Sequence, residues 1–215
     1  MKSTINCLLL ITSILLFSGC DGLIETKVKL SDLQSPTKKD ISGDLYIEVT
    51  GCNDFSDSRK ISDSVKESKQ TIPSIFKDAE YIECFQKEFQ SFTHFKIPMI
   101  ISKKNDLLSN DYIHIISNGE NLLGVGVPSS IKQNMDRVKA NTFGMTDINL
   151  NVQIKFVNDT NKDLPFKVAS AYLDNKPYIY GELQSTKNGS FMIRLSDVSV
   201  DNALENQFSS VLLKW

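Results

Sequence analysis

The chain has 215 residues, with 24 lysines and arginines against 26 aspartates and glutamates. In this mildly acidic chain, no basic patch of the kind that nucleic-acid binding uses stands out. Two isolated lysine pairs, at 38–39 and 103–104, are expected to be solvated loop charges. We therefore expect no nucleic-acid partner.

The first residues have the organisation of an export signal. Lys2 precedes an apolar run at 8–17, and the small residues Ser18 and Gly19 follow that run. A basic start, an apolar centre and a small-residue end are typical of a secretory signal peptide. The run is about 10 residues long, whereas a helix needs about 17 to 25 to span a bilayer. The sequence therefore predicts a cleaved signal over 1–19 and no permanent transmembrane helix.

A cysteine follows the small residues directly, although an ordinary cleavage site does not need one. The stretch Phe17-Ser18-Gly19-Cys20 resembles the lipobox of bacterial lipoproteins, with Phe17 where that family usually has leucine. The resemblance implies that Cys20 receives a diacylglyceryl group, that cleavage precedes it and that its new α-amine is acylated. Each buried acyl methylene contributes about 0.8 kcal/mol, so three chains anchor a protein firmly. An ordinary signal followed by a chance cysteine is the alternative.

The residue after the cysteine bears on the destination. Asp21 resembles the signal that keeps enterobacterial lipoproteins from export to the outer membrane, although Gly22 follows it. The resemblance favours the periplasmic face of the inner membrane over the outer membrane.

Removing 1–19 takes one lysine from 24 and no acid, which leaves 23 basic against 26 acidic residues, a net charge of about −3. About 195 residues remain, enough for one large or two small domains.

Two cysteines, Cys52 and Cys84, remain in the mature chain once the signal and the acylated residue are set aside. In an oxidising periplasm such a pair usually forms a disulfide, and we expect one here. Two alternatives stay open. A metal site has no C-x-x-C motif and no histidine near either cysteine in sequence. A free catalytic thiol needs an activating base, for which only His94 and His114 are available.

The first part of the mature chain mixes strands and helices. Residues 20–43 lack sustained periodicity and are predicted to form a lipidated tether, with one short strand at 24–30. The pattern then predicts a strand at 44–52, a helix from about Ser58 to Gln70, an interruption at Pro73 and a short turn over 73–78. Further on it predicts strands at 81–89 and 92–102, a hairpin of 112–116 and 122–127 around Asn118-Gly119, and a helix from about Ser130 to Gly144.

Beyond Gly144 the character of the sequence changes. Short alternating runs are separated by turn residues about every 8 to 12 positions, which favours antiparallel strands in a sandwich or sheet. The final "SSVLLKW" is predicted as a closing strand. We therefore expect an α+β fold, with an N-terminal α+β part over 44–144 and an antiparallel β-sandwich-like C-terminal part over 145–215.

The search for a catalytic, metal or cofactor site finds no convincing constellation. His94 and His114 lie in alternating apolar segments and are expected to be structural. Gly124-Val125-Gly126 lacks the third glycine of a phosphate loop and lies in a strand pattern. Two acidic pairs lack the spacing of a calcium loop and are interpreted as turn residues: Asp54 with Asp57, and Asp159 with Asp163. The sequon at Asn158 is interpreted as a turn. We expect no catalytic residue, no metal and no cofactor.

A second resemblance covers most of the mature chain. The runs "ETKVKLSDL", "GDLYIEVTGCNDFSDSRK", "IFKDAEYIECF", "FVNDTNKDLPFKV" and "RLSDVSV" resemble those of lipoproteins without assigned activity from enterobacteria and their phages or prophages. This resemblance implies export and lipidation, places Cys52 and Cys84 within the shared motifs and is compatible with a phage-linked role.

These observations lead to two hypotheses on function. The first is a non-enzymatic lipoprotein, held in the lipid bilayer by its N-terminal acyl chains, that binds an envelope protein or a phage component. The alternative is a periplasmic enzyme, or an inhibitor of one, whose site residues are not adjacent in sequence.

Overall fold

The computed structural model describes residues 20–34, 38–103, 111–118, 123–141 and 148–214. Several predictions made from the sequence fall outside these ranges. They are the signal peptide at 1–19, the second half of the turn after Asn118, the part boundary at 144–147 and the last residue, Trp215.

The described residues form eleven strands and four helices. The strands are β1 (Cys20–Lys29), β2 (Lys39–Val49), β3 (Glu80–Lys87), β4 (Gln90–Ser102), β5 (Ile113–Ser117), β6 (Leu123–Gly126), β7 (Ile148–Val157), β8 (Leu164–Leu173), β9 (Lys176–Ser185), β10 (Ser190–Leu195) and β11 (Ser209–Lys214). The helices are α1 (Leu30–Gln34), α2 (Asp63–Ile75), α3 (Ser129–Asn141) and α4 (Asp197–Asn206).

Nine strands close into a barrel in the order β10-β7-β1-β2-β4-β5-β6-β11-β8, and β8 pairs back with β10. The other two strands lie outside this ring, β3 against β4 and β9 against β8. Two of the pairings, β1 with β7 and β4 with β5, are parallel. The described residues are mostly β, with 53% strand and 24% helix.

The predicted fold class, an α+β part followed by an antiparallel β-sandwich-like part, is wrong. One closed barrel takes strands from both predicted parts, because β6 of the first part pairs with β11 of the second. Phe95 from the first part and Phe156 from the second are 0% exposed and belong to one core cluster. Alternation identifies the buried face of a strand, but it does not identify the strand with which that face shares a core.

The stretch 20–43, expected to be a tether, contains β1, α1 and the start of β2. Its alternation is strict once the charged residues are read as the outer face. Ile24 and Val28 are buried in the core, whereas Lys27 and Lys29 are exposed between and beyond them. The segment is therefore part of the barrel wall.

The helix α2 differs from its prediction at both ends. It begins at Asp63, because the Ser62 side chain caps it by accepting a hydrogen bond from the Val65 amide. It runs through Pro73, at which the sequence predicted an interruption, and ends at Ile75. Pro73 lies in the last turn, and burial of the flanking Ile72 and Ile75, each 1% exposed, offsets the missing amide donor.

The sequence analysis also missed α4, which replaces part of the predicted β-run. Ser196 caps it by accepting a hydrogen bond from the Ser199 amide, and Gln207 ends it in the left-handed conformation. Val200 and Ala203, three residues apart, are buried. The alternating "VSV" within this segment is typical of a strand, so the capping serine was the signal that could have revealed a helix.

Candidate functional site

Four aromatic rings lie together on the outside of the sheet formed by β2, β4 and β3. They are Tyr46, Phe85, Phe92 and His94, and we call them the outer aromatic face. Each is half-buried. In the strand register, Tyr46 lies opposite His94, and Phe85 lies opposite Phe92. The strands place these rings outward because the residues between them point to the core.

The rings contact one another as an ordered set. Tyr46 stacks on His94 with the ring centroids 4.8 Å apart, and Phe85 stacks on Phe92 at 5.8 Å. Tyr46 also meets Phe85 edge to face at 5.9 Å. Both geometries are favoured between aromatic rings. The outer aromatic face is therefore a continuous surface rather than four separate exposed side chains.

One carboxylate fixes the polar margin of this surface. Asp44 Oδ1 lies 2.9 Å from His94 Nε2 and accepts a hydrogen bond from Lys96 Nζ at 3.0 Å. Burial raises the pKa of Asp44, but the hydrogen bonds from His94 and Lys96 outweigh it, and the pKa lies below its ordinary value. The contact with Asp44 thus orients the His94 ring, which was expected to be structural. The Nδ1 atom of that ring lies 3.9 Å from a carboxylate oxygen of Glu83.

Carboxylates outnumber cations around Tyr46. Burial raises the pKa of the Tyr46 hydroxyl, and the field of three neighbouring carboxylates raises it further: Asp44, Glu25 and Glu83. A fourth, Glu48, lies opposite Phe92 in the register and accepts a hydrogen bond from Gln90. The outer aromatic face consequently has an acidic rim.

A disulfide holds the strand that carries Phe85. Cys52 and Cys84, the pair expected from the sequence, are joined with their Cα atoms 5.6 Å apart. The bond ties β3 to the loop that follows β2. Within the described residues β3 pairs only with β4, so its second edge has no ladder to hold it. Lys69 of α2 adds a contact, with its Nζ 4.4 Å from the centre of the Tyr81 ring.

A cleft of about 360 Å³ lies elsewhere on the surface, between α3, α4 and the start of β7. Its apolar lining includes Met135, Ile148 and Leu204, and its rim carries acids such as Asp136 and Asp201. Lys132 Nζ lies 2.7 Å from a carboxylate oxygen of Asp136, and this ion pair neutralises part of the charge on the rim. The cleft lacks the clustered rings of the outer aromatic face.

The two residues predicted for lipidation and sorting open the first strand. The backbone of Cys20 lies opposite Ile148, and Asp21 lies opposite Asn149. Asp21 is exposed, and its side chain accepts a hydrogen bond at 3.4 Å from the side-chain amide of Asn149.

The other residues singled out from the sequence are dispersed. His114 is buried, with its Nδ1 2.6 Å from Ser102 Oγ, and does not meet the surface His94. Asp54 accepts hydrogen bonds from the Ser56 and Asp57 amides in a surface turn. Gly124 and Gly126 lie within β6, as their strand pattern predicts.

The Asn158 sequon is a structural element that the sequence analysis described only as a turn. Asn158 is 0% exposed, and its amide donates to the carbonyls of Ser185 and Thr186, each at 3.1 Å. Its Oδ1 accepts from the Thr160 amide at 3.1 Å. Asp159, beside it, accepts hydrogen bonds from the amide and hydroxyl of Ser31. Each of these two side chains therefore connects its turn to another segment that is distant in sequence.

Among the described residues, no group of three or more histidine, cysteine, aspartate and glutamate side chains is placed to hold a metal ion. No helix in that part of the chain is long and apolar enough to cross a membrane.

One family match spans nearly the whole barrel. Residues 22–214 match a family described as a domain of unknown function, DUF7424. No curated protein matches the chain. No solved structure matches it either.

Proposed function

We propose that this chain, which belongs to the DUF7424 family, is an exported lipoprotein that uses its outer aromatic face to bind a protein partner in the cell envelope. Its acyl chains are attached at Cys20 and hold it at the periplasmic face of the inner membrane, with Asp21 as the sorting residue. A component of a phage particle is one form that such a partner takes. The protein acts by binding and not by catalysis.

The outer aromatic face is the observation that carries this proposal. Aromatic side chains contribute a large share of the energy of protein interfaces, because they bury much area and lose few rotatable bonds. The four rings are already ordered by stacking, and the disulfide at Cys84 holds the strand of Phe85. Preordering lowers the entropy cost of association.

The charges around the rings indicate the chemistry of the partner. The rim carries the carboxylates of Glu25, Asp44, Glu48 and Glu83, and Lys96 is hydrogen-bonded to Asp44. Complementary charge at an interface rim speeds encounter and selects partners. The partner surface is therefore expected to have an apolar centre and basic margins.

Export and anchoring are supported by the sequence of the first twenty residues and by the cysteine pair. Disulfides persist in oxidising compartments and are rare in the cytosol. We expect the intact mass of membrane-extracted protein to match residues 20–215 plus acyl chains, two hydrogens below the dithiol form. A Cys20→Ala variant should lack the acyl mass and leave the membrane fraction. Acyl-free wild-type protein would contradict the anchoring.

The binding surface is tested by photo-crosslinking in cells. A photoreactive phenylalanine analogue replaces Phe85 in one strain and Tyr180 in the matched control, because Tyr180 is a 53% exposed aromatic residue on β9. We expect a discrete protein adduct from position 85 and none from position 180. A charge reversal, Glu83→Lys, should reduce the adduct several-fold. Equal adducts at both positions, or an adduct insensitive to Glu83→Lys, would reject this surface.

A further inference from the structure

The barrel begins at the residue proposed as the anchor. Cys20 is the first residue of β1, and its backbone pairs with Ile148 in the sheet. No spacer therefore separates the anchored residue from the folded wall. Because three acyl chains insert into the hydrocarbon core and keep the acylated residue at the level of the lipid headgroups, an anchor at Cys20 holds this end of the barrel against the bilayer surface.

Two other segments lie at the same end of the sheet. β2 runs antiparallel to β1 with Gly22 opposite Ile47, so β2 ends beside the start of β1. β4 begins there too, because Val49 lies opposite Ser91. The loop that follows β2 and the turn between β3 and β4 therefore both lie at the Cys20 end.

Each of these segments presents a phenylalanine to solvent. Phe55 in the loop and Phe89 in the turn are fully exposed, the two most exposed large hydrophobic side chains among the described residues. A phenylalanine left in water forgoes the free energy that burial of its ring would contribute. The Cys52–Cys84 disulfide joins the loop that carries Phe55 to β3, the strand that leads into the turn with Phe89.

We propose that the Cys20 end of the barrel docks on a lipid bilayer by inserting Phe55 and Phe89 into the headgroup region. This inference rests on the anchoring in the proposed function, which supplies the closeness to the membrane. Aromatic rings are stabilised where acyl chains meet headgroups. Docking would fix the orientation of the barrel, so that the outer aromatic face stands perpendicular to the membrane plane and faces sideways.

The charges beside the rings indicate how the surface depends on lipid composition. The loop carries Asp54 and Asp57 with Arg59 and Lys60, and the turn carries Lys87 and Glu88, so both segments are formally neutral. An anionic membrane attracts basic segments and not neutral ones. Insertion is therefore expected to depend on the apolar rings and only weakly on the fraction of anionic lipid.

Single-tryptophan reporters test the docking. Trp215 is the only tryptophan of the chain, so Trp215→Phe gives a background for Phe55→Trp, Phe89→Trp and the control Ile179→Trp. Ile179 lies within β9, outside the ring, and is 91% exposed. The full chains, expressed with residues 1–19 and extracted from membranes, are reconstituted into vesicles of phosphatidylethanolamine and phosphatidylglycerol containing phosphatidylcholine with brominated acyl chains.

Inserted rings lie within reach of the bromine atoms, so we expect about twofold or stronger quenching at positions 55 and 89 and little at position 179. Equal quenching at the three positions, or none at 55 and 89, would overturn the docking surface. Unchanged far-ultraviolet circular dichroism verifies that each variant is folded. Raising the phosphatidylglycerol fraction should leave the pattern unchanged.

The intact mass of each sample separates failure of the anchor from failure of the docking surface. Acylated protein without quenching at 55 and 89 retains the anchor and overturns the docking. If the chain carries no acyl group, the anchoring fails, and the same chains are added to the same vesicles from solution. Quenching at 55 and 89 above that at 179 then supports the docking surface by itself, and its absence overturns it.

Discussion

Cys20 lies directly opposite Ile148 in the parallel pairing of β1 with β7. The pairing continues to Lys29 opposite Val157, so the first strand of the barrel is held along its whole length by a strand more than a hundred residues away in sequence. Parallel strands need a long connection between them, and here the intervening chain supplies β2, β4, β5 and β6 of the ring. The N-terminal segment is thus a structural part of the barrel.

Replacement of a core residue in this segment should destabilise the protein. Ile24 is 0% exposed in β1, so Ile24→Ala should lower the free energy of unfolding by about 2 to 5 kcal/mol. Lys27→Ala, at an exposed position of the same strand, should change it by less than about 0.5 kcal/mol. Urea denaturation followed by circular dichroism measures both. Equal, small effects would mean that the segment is a tether after all.

The disulfide should contribute to stability through the loop that it closes. Cys52 and Cys84 are 32 residues apart, and closing a loop of that length restricts the unfolded chain by about 3 to 4 kcal/mol. The double variant Cys52→Ala with Cys84→Ala should lose that amount in denaturant titrations. Wild-type protein with and without reductant is the matched comparison, and a double variant as stable as the oxidised protein would contradict the expectation.

Acid should weaken the contact between Asp44 and its partners. The pKa of Asp44 is lowered in the folded state below its unfolded value of about 3.9, since His94 and Lys96 bind the carboxylate. This contribution is therefore complete above the unfolded pKa and is lost as the pH falls through the folded pKa.

The measurement is the free energy of unfolding between about pH 6 and pH 2 for the wild type and for Asp44→Asn. The variant should lose less stability on acidification, and some acid dependence should remain because Asp159 also has a lowered pKa. Asp201→Asn, an exposed change on α4, is the control. Wild type and Asp44→Asn with the same acid slope would show that Asp44 contributes nothing.

A buried amide joins two turns at the end of β7. Asn158 donates to the carbonyls of Ser185 and Thr186, so Asn158→Ala leaves buried carbonyls without this donor and should cost about 2 to 4 kcal/mol. Asn161→Ala, at an exposed position three residues on, should cost less than about 0.5 kcal/mol. Thermal unfolding of the two variants side by side tests the difference, and similar melting temperatures would refute it.

Local features that depend only on neighbouring residues were predicted correctly. The two strands of the hairpin predicted around Asn118 are confirmed, since β5 and β6 are antiparallel with Ile116 opposite Gly124. The helix predicted from about Ser130 is α3, which begins one residue earlier. Turn chemistry and helical spacing act over a few residues, and the sequence displays them directly.

The outer aromatic face was not predicted, although every strand that carries it was. Tyr46, Phe85 and His94 come from three strands, and only the register places them side by side. The signal in the sequence was that aromatic residues occupy outward positions of these alternating strands, which polar residues usually fill. That signal cannot specify which outward rings meet, because a shift of one residue in register moves a ring to the opposite face.

The sequence by itself determined the buried face of most strands, the positions of two helices and the two cysteines that can pair with each other. It also led to the expectation of an export signal. The tertiary structure alone decided that both halves of the chain close one barrel, that β1 opens it at Cys20 and that Phe55 and Phe89 share an end with that residue. The physical reason is range. Periodicity and capping depend on residues within a few positions, whereas strand partners and barrel closure depend on contacts between segments far apart in the chain.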